Sequence, residues 1–195
     1  IVEQQFNRFW HSNFYRTGCL FRSREFLFDT YQNTTIFLAP LYWLHNVTKM
    51  NIDWPVFVSN KSQYINITEV SKKILLPNKN YIYLRRFSSK DDKSRLIAAP
   101  YLRNTNRTEL IGVENKLNYI HKPNGELQEN EAVGISALLN SEIFDTYFRT
   151  FNGNVSATEI RLMSFPPIKT IRELGDYLIT NNDYSQDTIN QTVGL

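Results

Sequence analysis

Residues 83–119 read YLRRFSSKDDKSRLIAAPYLRNTNRTELIGVENKLNY, and the rest of the chain must pack around whatever this stretch becomes. Apolar runs beginning at Ile82, Leu96 and Leu110 alternate with charged and polar connections. That pattern predicts three strands in a small antiparallel sheet. The connections are strongly basic: from Arg85 to Arg107 there are seven cations (Arg85, Arg86, Lys90, Lys93, Arg95, Arg103, Arg107) against two acids (Asp91, Asp92), a local net of +5. The whole chain carries only +3, so the remainder nets −2. A basic strip on a slightly acidic body is the electrostatic footprint of a nucleic-acid surface. It is also what a solvated hairpin edge looks like when lysine and arginine keep it from pairing with other strands.

Outward from the strip, the 195 residues are 42% hydrophobic and 14% aromatic, enough for one packed domain. Residues 1–14 place Val2, Phe6, Phe9 and Trp10 at helical spacing, which predicts a linker or docking helix. An apolar run from Leu20 to Phe28 is interrupted by Arg22 and Arg24, which a strand would send to one face. Residues 35–44 read as a buried strand. Asp53-Trp-Pro55 reads as a turn before Val56-Phe-Val58, and shorter strands follow at Tyr64 to Ile67 and Ile74 to Pro77. After the Lys122-Pro-Asn-Gly125 turn the period changes to helix. Ala132, Ile135, Leu138 and Leu139 form one stripe, and Ile143, Phe144, Tyr147, Phe148 and Phe151 a second, with Ser141 placed to cap it. Ser156 and Glu159 spell a capping box, Pro166-Pro167 a stop, and Ile171 to Ile179 a last helix. Residues 181–195 have the composition of a flexible tail. The expected class is therefore α+β: a small mixed or antiparallel sheet in the N-terminal and central part, then a helical C-terminal part.

Several function classes drop out. The seven glycines are too dispersed for a dinucleotide fingerprint or a P-loop. None of the seven prolines follows an asparagine, so the Asn-Pro-Pro-aromatic loop of amino-methylating enzymes is absent. Three scattered histidines and the lone Cys19 make no metal-ligand set. Cys19 also excludes an internal disulfide, which suits a reducing, cytoplasmic compartment; seven Asn-x-Ser/Thr tripeptides are read as chance in so Asn-rich a chain. No apolar run reaches the length of a membrane helix. The chain opens on Ile1 with no leader pattern, as a fragment or an excised domain would. One enzyme signal survives: Glu114 and Lys116 at the end of an apolar strand match the spacing by which PD-(D/E)xK-like nucleases set a magnesium-binding carboxylate beside a lysine, with Asp91 and Asp92 the nearby acids. A non-enzymatic interaction module that meets an acidic partner through the strip is a further alternative.

Longer matches then appear. Tyr83-Leu-Arg-Arg-Phe-Ser-Ser-Lys90, Arg95-Leu-Ile-Ala-Ala99, Ile111-Gly-Val-Glu-Asn-Lys-Leu-Asn-Tyr-Ile-His121 and Ala137-Leu-Leu-Asn-Ser-Glu-Ile-Phe-Asp-Thr-Tyr-Phe-Arg149 closely resemble the C-terminal part of PstI/BsuBI-like adenine-specific DNA methyltransferases. So do Phe151-Asn-Gly153 and Ala157-Thr-Glu-Ile-Arg161, and upstream Thr17-Gly18, Phe21-Arg-Ser-Arg-Glu25, Ala39-Pro-Leu41 and Trp54-Pro55. The loop after Gly153 is shorter here than in that family, and residues 167–195 lie outside the resemblance. The resemblance implies a DNA target-recognition domain over residues 15–180 of a type II restriction–modification methyltransferase. Its partners would be double-stranded DNA and an N-terminal catalytic domain of the same polypeptide, which would bind S-adenosylmethionine and methylate adenine N6. No catalytic, cofactor or metal residue is expected in this chain. Within that reading Arg85, Arg86, Lys90 and Arg95, with Ser88 and Ser89, suit phosphate contacts. Arg22, Arg24, Asn115, Lys116, Asn118 and His121 carry donors and acceptors for base edges, Tyr119 stands among them, and Asn152 and Asn154 belong to the shortened loop. Asn115, Asn118 and Tyr119 read equally well as residues that tie a turn together.

Overall fold

Side chains alternate across a strand, so the five residues Tyr81–Arg85 (β6) must divide between two cores. Ile82 and Leu84 join one apolar cluster with Ala98, Ile120 and the helices. Tyr81 and Tyr83 join another with Ala99, Tyr101, Leu117, Tyr119, Tyr42, Ile111 and Val113. Both sets are buried to 4% exposure or less within β6, which explains why this strand shows no polar face in the sequence.

A computed structural model of the chain describes residues 37–88, 93–105, 108–150 and 155–194. Before β6 come β1 (Leu38–Tyr42), β2 (Val47–Thr48), β3 (Asn51–Ile52), β4 (Tyr64–Asn66) and β5 (Leu76–Pro77). After it come β7 (Ala98–Tyr101), β8 (Leu110–Val113) and β9 (Leu117–Ile120), then α1 (Glu129–Asn140), α2 (Glu142–Arg149), α3 (Ala157–Leu162), α4 (Ile168–Asn181) and α5 (Gln186–Val193). The class is α+β, as the sequence predicts.

The expected antiparallel sheet is present, in the order β7-β6-β9. Its third strand differs from the expectation. The apolar run from Leu110 breaks at Glu114, and Leu117 N–H closes a turn on Glu114 O at 3.0 Å. β8 therefore pairs parallel with β1 and antiparallel with β5 in a second, mixed sheet of order β4-β1-β8-β5, while β9 pairs with β6. The two sheets share the tyrosine-rich cluster, and the helices cover the opposite face of β7-β6-β9. Val56–Val58 forms no strand; Phe57 is 87% exposed.

The helical half follows the sequence signals closely. Ser141 Oγ accepts from Phe144 N–H at 3.3 Å to start α2. Ser156 Oγ accepts from Glu159 N–H at 3.3 Å while Glu159 Oε2 accepts from Ser156 N–H at 2.9 Å, closing the box that starts α3. α1 and α4 cross in very close contact. A Cβ on Gly134 would lie 2.1 Å from Ile171 O, and one on Gly175 would lie 2.0 Å from Asn130 O, so each helix needs a glycine where it meets the other. Beside the crossing, the fully buried Glu131 accepts from Arg172 Nη2 at 2.7 Å and from Gln128 N–H at 2.9 Å. Residues 186–193, part of the expected tail, form α5: Ser185 Oγ accepts from Thr188 N–H at 3.3 Å, and Ile189 is buried at 1% exposure. Among the described residues no helix is long and apolar enough to cross a membrane.

Candidate nucleic-acid interface

The register of the central sheet sorts the candidate residues. Arg85 pairs with Leu117, Leu84 with Asn118 and Ile82 with Ile120. Leu84 also pairs with Ala98, and Tyr81 with Tyr101. One end of the sheet thus gathers Arg85, Arg86, Ser88, Arg95, Asn115 and Lys116. His121, following β9, and Arg103, following β7, lie at the opposite end, where Arg103 Nη1 pairs with Glu126 at 3.2 Å. The strip that is continuous in sequence is split in space. Arg22, Arg24, Ser89, Lys90, Asn152 and Asn154, together with Asp91, Asp92 and Arg107, lie outside the described residues, as does the expected docking helix at residues 1–14.

Arg86 is the junction of the first group. Its N–H donates to Lys116 O at 2.9 Å, its carbonyl accepts from Val155 N–H at 3.0 Å, and its Nη1 donates to Asn115 O at 3.3 Å. Three segments far apart in the chain, 85–88, 114–117 and 155–156, therefore meet at one residue. Lys116 is exposed and Asn115 and Arg86 are half-buried, so cationic and amide groups reach solvent from a backbone held on both sides.

The remaining candidates face inward. Arg85 Nε donates to Val47 O at 2.6 Å, which turns that side chain toward β2. Arg95 is only 2% exposed; its Nε donates to Ser88 Oγ at 3.1 Å and its guanidinium lies 5.8 Å from the Phe148 ring centre. Its guanidinium is thus enclosed between Ser88 and Phe148, where the sequence reading placed it among the phosphate contacts. Asn118 is 3% exposed and its Nδ2 donates to Val155 O at 2.9 Å. Tyr119 is 6% exposed, packed edge-on to Tyr81 at 5.7 Å, and the His121 ring stands 5.8 Å from it.

Sequence reasoning missed the group that anchors Lys93, Arg95 and Leu96. Asp145 of α2 accepts from Arg95 N–H at 2.5 Å and Leu96 N–H at 3.1 Å through Oδ1, and from Arg149 Nε at 2.8 Å through Oδ2. Arg149 Nη2 then donates to Lys93 O at 3.0 Å. The four-residue spacing of Asp145 and Arg149 on a predicted helix was the available signal. Glu114, the carboxylate of the nuclease pattern, is 9% exposed, and its Oε2 accepts from Leu44 N–H at 3.0 Å. Its carboxylate is thus engaged in joining β8 to the residues after β1. Among the described residues no group of three or more His, Cys, Asp or Glu side chains is placed to hold a metal ion.

No family model and no solved structure matches the chain. Two curated proteins do. The type II methyltransferase M.PstI of Providencia stuartii is 27% identical over 175 residues, which cover 89% of this chain and 34% of that protein. The type II methyltransferase M.BsuBI of Bacillus subtilis is 33% identical over 145 residues, covering 73% of this chain and 29% of that protein. The chain is homologous to these methyltransferases over most of its length and spans about a third of theirs.

Proposed function

We propose that this chain is the DNA target-recognition part of a site-specific adenine-N6 methyltransferase of a restriction–modification system. In this reading the remainder of a longer polypeptide binds S-adenosylmethionine and carries out the transfer in the bacterial cytoplasm. The observation that carries the reading is the convergence at Arg86. Two of the segments that resemble the methyltransferases, 83–90 and 111–121, meet there beside Val155 of the shortened loop, and they offer Arg86, Asn115 and Lys116 to one surface. The homology to M.PstI and M.BsuBI supports the same reading. Phosphate contacts from such a surface would set register on the duplex, and amide or guanidinium groups would read base edges.

Nothing in the sequence supplies the glycine-rich loop or the Asn-Pro-Pro-aromatic motif that cofactor binding and amino methylation need, so this chain is assigned binding and not transfer. The nuclease reading is disfavoured because Glu114 already serves the Leu44 N–H. Two assays test the proposal together. The chain alone should bind duplex DNA in a strongly salt-dependent way and transfer no methyl group. A polypeptide that joins it to the part of M.PstI that it does not match should methylate adenine at a fixed site. Absence of duplex binding at low salt would refute it.

A further inference from the structure

Phe87 is the part of this surface that phosphate and base-edge contacts leave unexplained. It follows Arg86 at the exit of β6 and is 44% exposed. Single exposed apolar residues are ordinary on a protein surface, and Phe57 and Val70 are more exposed, at 87% and 78%. Its setting distinguishes Phe87. The residue before it is bonded on both sides, to Lys116 O and from Val155 N–H, so the ring projects from a fixed backbone. The Arg86 guanidinium stands 5.4 Å from the centre of that ring, and exposed Lys116 lies on the adjoining turn. An apolar aromatic ring presented among cations complements a partner that is anionic outside and aromatic within. That partner is a nucleic acid with a base step opened.

We propose that Phe87 is a stacking wedge, which enters an opened base step of duplex DNA while Arg86 and Lys116 hold flanking phosphates. The inference rests on the DNA-recognition reading. Chemistry on a base requires that base to leave the stack, which creates a gap that an apolar side chain can fill. The ring would supply the stacking that the extruded base gave up.

The test uses the full chain and two fluorescently labelled random-sequence duplexes, identical except that one carries a single abasic site with 2-aminopurine beside it. The wild-type chain should bind the abasic duplex roughly tenfold more tightly than the intact one, the scale of one stacking contact, and should quench the 2-aminopurine. Phe87→Ala should abolish both the preference and the quench, and Phe87→Trp should restore both. Equal affinity of the wild type for the two duplexes, or a preference and quench that survive in Phe87→Ala, would overturn the wedge and leave DNA recognition standing. Failure of the wild type to bind either duplex at low salt would overturn DNA recognition itself, and the wedge with it.

Discussion

The side-chain amide of Asn118 donates to the main-chain carbonyl of Val155 at 2.9 Å, inside the protein. Val155 in turn donates its N–H to Arg86 O at 3.0 Å. A buried asparagine thus fixes the segment that borders the candidate interface. Asn118→Ala would leave the Val155 carbonyl unsatisfied, at a cost of about 1–3 kcal/mol. The expected outcome is a melting temperature several degrees lower with sequence preference intact at permissive temperature. Thermal unfolding alongside competition binding checks this; lost preference without lost stability would return Asn118 to a base-reading role.

Asp145 should matter more than its position outside the basic strip suggests. It satisfies the buried Arg95 and Leu96 N–H groups and pairs with Arg149. Asp145→Ala strands two donors at once and is expected to cost about 2–4 kcal/mol. Asp145→Asn keeps an acceptor and should cost less. Denaturant unfolding of the two variants gives the comparison.

The α1–α4 crossing predicts an unusually large effect from a single methyl group. Gly134→Ala or Gly175→Ala would place a Cβ within about 2 Å of a facing carbonyl oxygen, which no rotamer can relieve. Each should destabilise by more than about 3 kcal/mol, well above a typical substitution. Near-wild-type unfolding of either variant would mean that the two helices separate easily.

Burial holds Tyr83 protonated far above the ordinary phenol value, with Tyr101, Tyr42 and Tyr81 adding to the effect, and burial raises Tyr81 in the same direction. A folded-state value raised above the unfolded one contributes stability that is complete below about pH 10 and lost as pH rises above it. The protein should therefore lose stability on titration above pH 10. Tyr83→Phe should weaken that dependence, and because the Tyr83 hydroxyl is buried with no hydrogen-bond partner among the described residues, it should cost little at neutral pH. Absorbance titration of tyrosinate formation, with unfolding measured at matched pH, checks both points.

Local signals were legible in the sequence where a single residue sets a local geometry. Ser141 and the Ser156–Glu159 box start the helices they were assigned to, and the apolar runs from Ile82 and Leu96 give the antiparallel pair β6 and β7. The division of the third strand between two sheets was not legible. An apolar run does not state its partner, and the parallel pairing of Leu41 with Gly112 joins residues distant in the chain. Charge counting also treats every arginine as exposed. Arg95 is buried because Ser88, Phe148 and the Asp145 contacts of its own backbone surround it, a tertiary arrangement that composition does not contain. The final helix was hidden because one buried residue, Ile189, carries most of its apolar packing.

The most direct test of the central claim is the salt dependence of duplex binding by the chain and by its Arg86→Ala, Lys116→Ala double variant. Each phosphate neutralised contributes roughly 0.9 to the log–log slope. The wild type should lose affinity steeply as salt rises, and the double variant should show a slope lower by about 2, with random and cognate duplexes affected alike. A wild-type slope near zero, or an unchanged slope in the double variant, would contradict the assignment of this surface to DNA.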